Sequence, residues 1–317
     1  MLLVILFLAV GFVAFTNGAN ANFKGVASLY GSGTTTLRTA ALWGTATTFA
    51  GSITALFLAG GMILVFRGRG IVPDELVASR EFVCAVAIGA ALTSFLATRF
   101  GFPVSTTHAL VGALLGAGLA GSGEVRFAAL GANFIYPLFF SPVVAAIAGG
   151  VVYLLLKSLR LAPDHRTPTL DTLHFLSAGA ASFARGLNDT PKMAALMLAV
   201  PNLEVYWAIL IVAVIIALGG LLDIDRVAET LGKKITGMNP GQGFAASLVT
   251  AGLVTAASLG ALPVSTTHVS VGSLLGMGVV TRQAKWRKAA EILLAWGSTV
   301  PCGAILGALA YWLIVQF

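Results

Sequence analysis

The sequence predicts an all-α polytopic membrane protein made of two inverted five-block repeats, with broken or re-entrant helices carrying a repeated P-V-S-T-T-H motif. Three observations predict it: a composition too apolar for a water-soluble globule, ten apolar blocks along the chain, and two motifs that recur in the same order in both halves.

Of the 317 residues, 57% are hydrophobic and 10% are charged, and the mean hydropathy is +0.93. A soluble domain carries about 25% charged residues. This chain has too little polar surface to cover a globule in water, which excludes a soluble protein, a disordered chain and a disulfide scaffold. Cys84 and Cys302 lie in apolar runs without a metal or disulfide spacing and read as small lipid- or helix-facing residues. The net charge of +7 does not point to nucleic acid, because in a membrane protein the position of the charges matters more than their sum.

The first half has apolar blocks at 1–17, 38–66, 82–100, 104–120 and 127–156; the second has them at 170–200, 205–224, 244–262, 264–280 and 289–315. Several are close to the ~20 residues a helix needs to cross hydrocarbon. The longest have room for a broken helix or a short hairpin. The first block lacks the basic flank of a signal peptide, and the sequence after it has a counterpart in the second half, so it reads as a crossing. The polar stretch at 157–168, with two prolines and four charges, divides the chain nearly in half. The expected organisation is a first repeat at 1–157, a cytoplasmic linker at 158–169 and a second repeat at 170–317.

The repeat itself is explicit. PVSTTHALVGALLGAG begins at Pro103 and PVSTTHVSVGSLLGMG at Pro263, matching at twelve of sixteen positions at an offset of 160. Upstream, Gly18-Ala-Asn20-Ala-Asn-Phe-Lys24 pairs with Gly186-Leu-Asn188-Asp189-Thr-Pro-Lys192 at an offset of 168. An odd number of crossings per repeat turns the second copy upside down, the plan of many secondary transporters, with the substrate site where the copies meet. Re-entrant segments would change the crossing count without removing that relation.

Loop charges orient the chain. Loops on one side contain Lys157, Arg160, Arg166, Arg226, Lys233, Lys234, Arg282, Lys285, Arg287 and Lys288; the other side keeps mainly Arg67, Arg69, Arg80 and Arg126. The positive-inside rule then places both termini outside.

The P-V-S-T-T-H stretch has the chemistry of an anion seat. Proline suits the first turn of a helix, and free N–H groups at a helix start favour negative charge. Ser105, Thr106 and Thr107, with Ser265, Thr266 and Thr267 from the second copy, supply six hydroxyl donors. Two such ends facing each other would surround a tetrahedral oxyanion. The competing reading is that these hydroxyls bond back to helix carbonyls.

The second motif pair places ionisable groups inside apolar blocks, where charge is costly and marks function. Asp189 is a candidate cation ligand or acceptor for a protonated anion, and Lys24 and Lys192 are candidates for charge compensation; snorkelling lysines at the interface are the alternative. His108 and His268 close the two S-T-T-H runs and suit hydrogen bonding to the anion, proton transfer or helix packing. No metal-ligand spacing and no cofactor signature stands out. The duplicated S-T-T-H argues against an intramembrane hydrolase.

With these motifs the chain resembles the PiT inorganic phosphate transporters over nearly its whole length. That family has a G-A-N-D-V-A-N-like motif in its first repeat, G-x-N-D-x-x-K in its second and P-V-S-T-T-H in each. The resemblance implies an inverted-repeat carrier in the cell membrane that imports phosphate with Na⁺ or H⁺, often as a homodimer. It places the anion site on Ser105, Thr106, Thr107, Ser265, Thr266, Thr267, Asn20, Asn188 and Asp189.

One departure matters. The family's first Asp position is Ala21 here, and its later Asn position is Lys24. A Na⁺ ligand is lost and an ammonium gained, which opposes sodium coupling. A retained carboxylate favours phosphate, which donates a hydrogen bond to it where sulfate does not; the loss of its mate leaves sulfate or another tetrahedral oxyanion as the alternative. The expected function is cation-coupled import of inorganic phosphate by alternating access. An anion channel, the reading from another class, would show flux without counterflow or saturation, and an enzyme would alter its substrate covalently.

Overall fold

The structure, a computed structural model, describes residues 1–68, 70–162, 164–222 and 225–316, with 225 and 226 in the backbone alone. The chain forms α1 (Leu2–Ala21), a 3-10 turn (Asn22–Lys24), α2 (Ala27–Gly31), α3 (Leu37–Leu58), α4 (Gly60–Val65), α5 (Asp74–Val77), α6 (Arg80–Arg99), α7 (Thr106–Ser122) and α8 (Phe127–Leu130). A π turn (Gly131–Ile135) joins α8 to α9 (Tyr136–Ser158), followed by α10 (Pro168–Met197), α11 (Val205–Leu222) and α12 (Asp225–Glu229). A second π turn (Thr230–Lys234) precedes α13 (Pro240–Leu259), α14 (Thr266–Val280) and α15 (Trp286–Val315). Among the described residues, seven helical stretches are long and apolar enough to cross a membrane. The protein is a multi-pass helical membrane protein.

Each apolar block of the sequence is helical, and the exceptions to simple crossings are informative. The block at 205–224 is helix to Leu222, and 223 and 224 lie outside the described residues. At 17 and 15 residues, α7 and α14 span about 25 and 22 Å, short of the ~30 Å hydrocarbon core. Each starts after a non-helical P-V stretch, capped by Ser105 or Ser265, whose Oγ accepts the N–H of His108 or His268. The helices before them, α6 and α13, are both 20 residues long and start from the matched caps Ser79 and Asn239. At the offset of 168, α10 corresponds to α1, the 3-10 turn and α2 together: one continuous helix in the second half, a broken one in the first.

Packing interlocks the halves. The post-motif helix of each half lies against the last helix of the other, α7 on α15 and α14 on α9. The first helix of each half likewise packs on the second long helix of the other, α1 on α11 and α10 on α3. Gly112 and Gly116, four residues apart on α7, make the first close approach possible: a Cβ at Gly116 would lie 1.8 Å from the carbonyl oxygen of Ala304. Gly276, its counterpart on α14, stands equally close to the carbonyl of Ala146. Small residues spaced in this way let membrane helices touch backbone to backbone.

The basic loops gather at one end. Arg166 donates to the carbonyls of Gly33 and Thr34, Asn239 donates to Asp164, and Lys285 donates to the carbonyl of Lys233. Lys157 donates to Asp164 at 3.2 Å and holds that carboxyl below the usual range. From this end α3 carries the chain about 33 Å away, to a loop where the Arg126 N–H donates to the carbonyl of Ile71. Arg69 and the side chain of Arg226 lie outside the described residues. Along α9, Phe139, Phe140, Val143, Val144, Ile147 and Val151 are exposed, as a lipid-facing helix requires.

Candidate functional site

The two motif pairs meet in the interior. Asp189, buried on α10, is the hub: its Oδ1 accepts from Lys192 Nζ at 2.9 Å, and its Oδ2 lies 3.6 Å from Arg185 Nε. Residues 185, 189 and 192 sit one helical turn apart, so a single face of α10 presents all three charges. From the other half, Asn17 Nδ2 donates to Asp189 Oδ2 at 3.2 Å and to Thr106 Oγ1 at 2.9 Å. Thr266 Oγ1 donates to Asp189 Oδ2 at 3.3 Å. The second residue of each S-T-T run therefore reaches the same carboxylate, one directly and one through Asn17.

A second layer repeats almost symmetrically. Lys24 Nζ donates to the carbonyl of Val104 at 2.8 Å, and Thr267 from the other half donates to the same oxygen at 2.7 Å. Lys192 Nζ donates to the carbonyl of Val264 at 3.2 Å, and Thr107 donates to that oxygen at 3.4 Å. Each lysine thus holds the P-V carbonyl of its own half, and the third hydroxyl of the opposite half clamps it. The P-V segment is non-helical and leaves this carbonyl without a helical partner before the helix begins, which is why it is free to accept two donors.

The asparagines serve as braces. Asn20 Nδ2 donates to Thr98 Oγ1 and the Phe102 carbonyl, and its Oδ1 accepts the Val104 N–H. Asn188 Nδ2 donates to Ser258 Oγ, the counterpart of Thr98, and its Oδ1 accepts from Lys192 at 2.6 Å. Asn20 thereby fixes the loop between α6 and α7, and Asn188 ties α10 to the end of α13. Ser105 and Ser265 are engaged as caps. His108 and His268 pack against each other with ring centres 4.5 Å apart, and His268 stacks on Trp296 at 3.9 Å and approaches the Leu138 carbonyl through Nδ1.

A cavity of about 600 Å³ descends past Arg67, Asp74 and Arg80, beside α5, to Lys192. Its walls are Val83, Val86, Leu110, Val111, Leu114 and Phe134. The S-T-T hydroxyls do not line it: the four threonines are bonded to the carboxylate, Asn17, Lys192 and the two carbonyls, and the two serines cap their helices. Convergence of the two motifs was legible from the sequence, whereas their separation from the cavity was not.

Charge is unbalanced in this interior. Arg185, Lys192 and Lys24 are buried with Asp189, three cations against one carboxylate, a formal excess of +2. Lys24 is tied to this interior through the Val104 carbonyl, which it shares with Thr267. Arg185 is held by Asn17, with Nη2 2.7 Å from Oδ1, and by Thr48. In the sequence, Arg185 is a charge flanked by apolar residues with no motif to give it a role, and Asn17 lies just outside the repeated motif. The repeat offset of 168 pairs Asn17 with Arg185, one residue upstream of the matched Gly18 and Gly186.

The sequence profile of the phosphate transporter family matches the chain twice, over 17–169 and 162–307. The chain belongs to the phosphate transporter family. Both copies of the profile contain one G-x-N motif and one P-V-S-T-T-H, the segments that the structure brings together. A probable low-affinity inorganic phosphate transporter of Rhizobium meliloti (strain 1021) is 34% identical over 77% of this chain and 77% of its own length. A protein of the same name from Bacillus subtilis (strain 168) is 30% identical over 73% of this chain and 74% of its own. A sulfate permease, CysP, of Bacillus subtilis (strain 168) is 31% identical over 84% and 75% of the two chains. The solved structure of a sodium-dependent phosphate transporter has the same fold, with a TM-score of 0.85 over 100% of this chain and 99% of that one at 24% identity.

Proposed function

We propose that this member of the phosphate transporter family imports inorganic phosphate by cation-coupled alternating access. The carrying observation is the joint engagement of Thr106, Thr266, Lys192 and Asp189 from two repeats in one buried cluster with a formal excess of +2. A divalent oxyanion entering low dielectric needs fixed positive charge of that size or a co-bound cation. The hydroxyls of Thr106, Thr107, Thr266 and Thr267, with Lys24 and Lys192, form the anion site, and Asp189 accepts the hydrogen of a protonated phosphate oxygen. Ser105, Ser265, Asn20 and Asn188 hold the site's geometry.

Two inverted repeats, 1–157 and 170–317, joined by a cytoplasmic linker at 158–169, fit the reciprocal packing of α7 on α15 and α14 on α9. The gathered basic loops support a cytoplasmic assignment for their end of the molecule, with both termini outside. On that orientation the 600 Å³ cavity faces outward. Lys24, standing where the family has Asn, takes over part of the coupling cation's charge, so H⁺ or anion exchange drives uptake more than Na⁺ does.

A sulfate permease is the second reading, favoured by the single carboxylate of the cluster and by the similarity to the named sulfate permease. Uptake of labelled phosphate and sulfate into proteoliposomes, with Na⁺ and pH gradients imposed separately, tests both. Saturable phosphate uptake with weak sulfate competition is the expected result; preferential sulfate uptake, or unsaturable flux, overturns it.

A further inference from the structure

We infer that a closed, hydroxyl-lined cleft between α2, α13 and α14 is the anion's second doorway, and that the hydrogen bonds sealing it part in each transport cycle. The inference rests on the carrier reading above and adds the route.

The cleft is the counterpart of the open cavity, position by position. Lys192 and Leu196 of the cavity correspond to Lys24 and Ser28 of the cleft at the offset of 168; Val86, Leu110 and Leu114 correspond to Ala246, Ser270 and Leu274 at the offset of 160. Yet the cavity holds about 600 Å³ and the cleft about 10 Å³. Each space has one of the paired lysines in its lining, so the two spaces approach the buried cluster from its two halves. From Lys24 the cleft runs toward the end of the molecule where the basic loops gather: His174 Nε2 lies 2.9 Å from Ser28 Oγ, and its Nδ1 lies 3.2 Å from Thr34 Oγ1, beside the Thr34 carbonyl that holds Arg166.

The lining chemistry explains why the cleft opens. Ser28 and Ser270 stand where the cavity has leucine, and Ser247, Thr250 and Ser273 add three more hydroxyls. Closed, they satisfy one another across the seams: Ser28 Oγ and Ser247 Oγ are 2.7 Å apart, Thr250 Oγ1 and Ser273 Oγ are 2.9 Å apart, and Ser270 donates to the Lys24 carbonyl. A permanently dry seam would be served by the apolar side chains that line the cavity. Hydroxyls partnered with one another exchange those bonds for water at small net cost, so a polar seam parts easily and wets fully. The competing account is that the hydroxyls only fasten helices together.

The test uses the full chain in proteoliposomes after Cys84→Ala and Cys302→Ala. An impermeant anionic thiol reagent is added on one side at a time. Thr250→Cys is expected to react from the basic-loop side, faster with phosphate turnover, and Val86→Cys from the opposite side. Oxidation of the Ser28→Cys/Ser247→Cys pair is expected to abolish phosphate uptake and reduction to restore it. Val86→Cys reacting while Thr250→Cys stays silent from the basic-loop side overturns the inference, as does an oxidised pair that transports like the reduced one. If the reduced pair is inactive, labelling of Thr250→Cys decides alone. A parent protein that takes up no phosphate counts against the carrier reading only, and the labelling arm still reports whether the cleft opens.

Discussion

Lys24 Nζ donates to the carbonyl of Val104 at 2.8 Å, and no carboxylate among the described residues comes within ion-pair distance of that ammonium. Its counterpart Lys192 makes the equivalent bond to Val264 but also holds Asp189. The two halves therefore share one geometry and differ in charge, because Ala21 stands at the position that Asp189 occupies in the second half.

On the proposed carrier reading, that difference predicts the coupling. Wild-type uptake is expected to depend only weakly on Na⁺, Lys24→Ala to lose anion affinity, and Ala21→Asp/Lys24→Asn to become Na⁺-dependent. Initial rates of phosphate uptake with and without Na⁺ at fixed pH measure all three. Steep Na⁺ dependence of the wild type, or a Lys24→Ala variant indistinguishable from it, would show that Lys24 does not stand in for a cation.

The threonines should divide into two classes. Thr106 and Thr266 reach Asp189 or its bridge Asn17, and changing either to Val removes a donor while keeping shape. The lost charged hydrogen bond costs about 1.5–3 kcal/mol, or roughly ten- to a hundred-fold in anion affinity. Thr107→Val and Thr267→Val release the clamp on a backbone carbonyl and should lower thermal stability in detergent as well. Equal stability loss in all four variants would collapse the distinction.

Asp189→Asn leaves Arg185 and Lys192 buried without a carboxylate. Breaking a buried ion pair from one side costs about 3–5 kcal/mol. The variant should unfold at a markedly lower temperature, and adding Lys192→Met should recover part of the loss. A variant as stable as wild type would mean that the cluster rearranges or takes up an anion tightly.

Gly116→Leu and Gly276→Leu should disrupt matched contacts, α7 with α15 and α14 with α9. Either substitution forces the helices apart where a Cβ would already lie 1.8 Å from a carbonyl. Low yield of folded protein on size-exclusion chromatography is expected for each, against near-normal yield for Gly252→Leu, where a Cβ meets nothing within 4 Å.

The sequence made the helical class and the paired motifs readable because hydropathy and repetition survive without coordinates. Pro103 and Pro263 marked the starts of α7 and α14 to within three residues. The sequence left Asn17 and Arg185 unassigned, since neither repeats in identity although they occupy matched positions. It gave no sign that Asn20 and Asn188 would be used up in bracing hairpins, because the acceptors, Thr98 and Ser258, belong to helices whose register only the packing fixes. Nor does hydropathy reveal an imbalance between the cavity and the cleft: Leu110 against Ser270 is one of four differences between two sixteen-residue stretches.

The reciprocal packing of α7 on α15 and α14 on α9 also bears on how the chain is made. When ribosomal synthesis has delivered the first half, α7 presents its Gly112 and Gly116 groove with nothing to fill it, since α15 begins only at Trp286. The first half must wait in the bilayer, its Thr107 hydroxyl without the Val264 carbonyl and the Val104 carbonyl without Thr267 until α14 is made, and its glycine groove empty until α15 follows. Biogenesis is thereby all-or-none. Two separately expressed halves should be degraded singly and survive only when produced in the same cell.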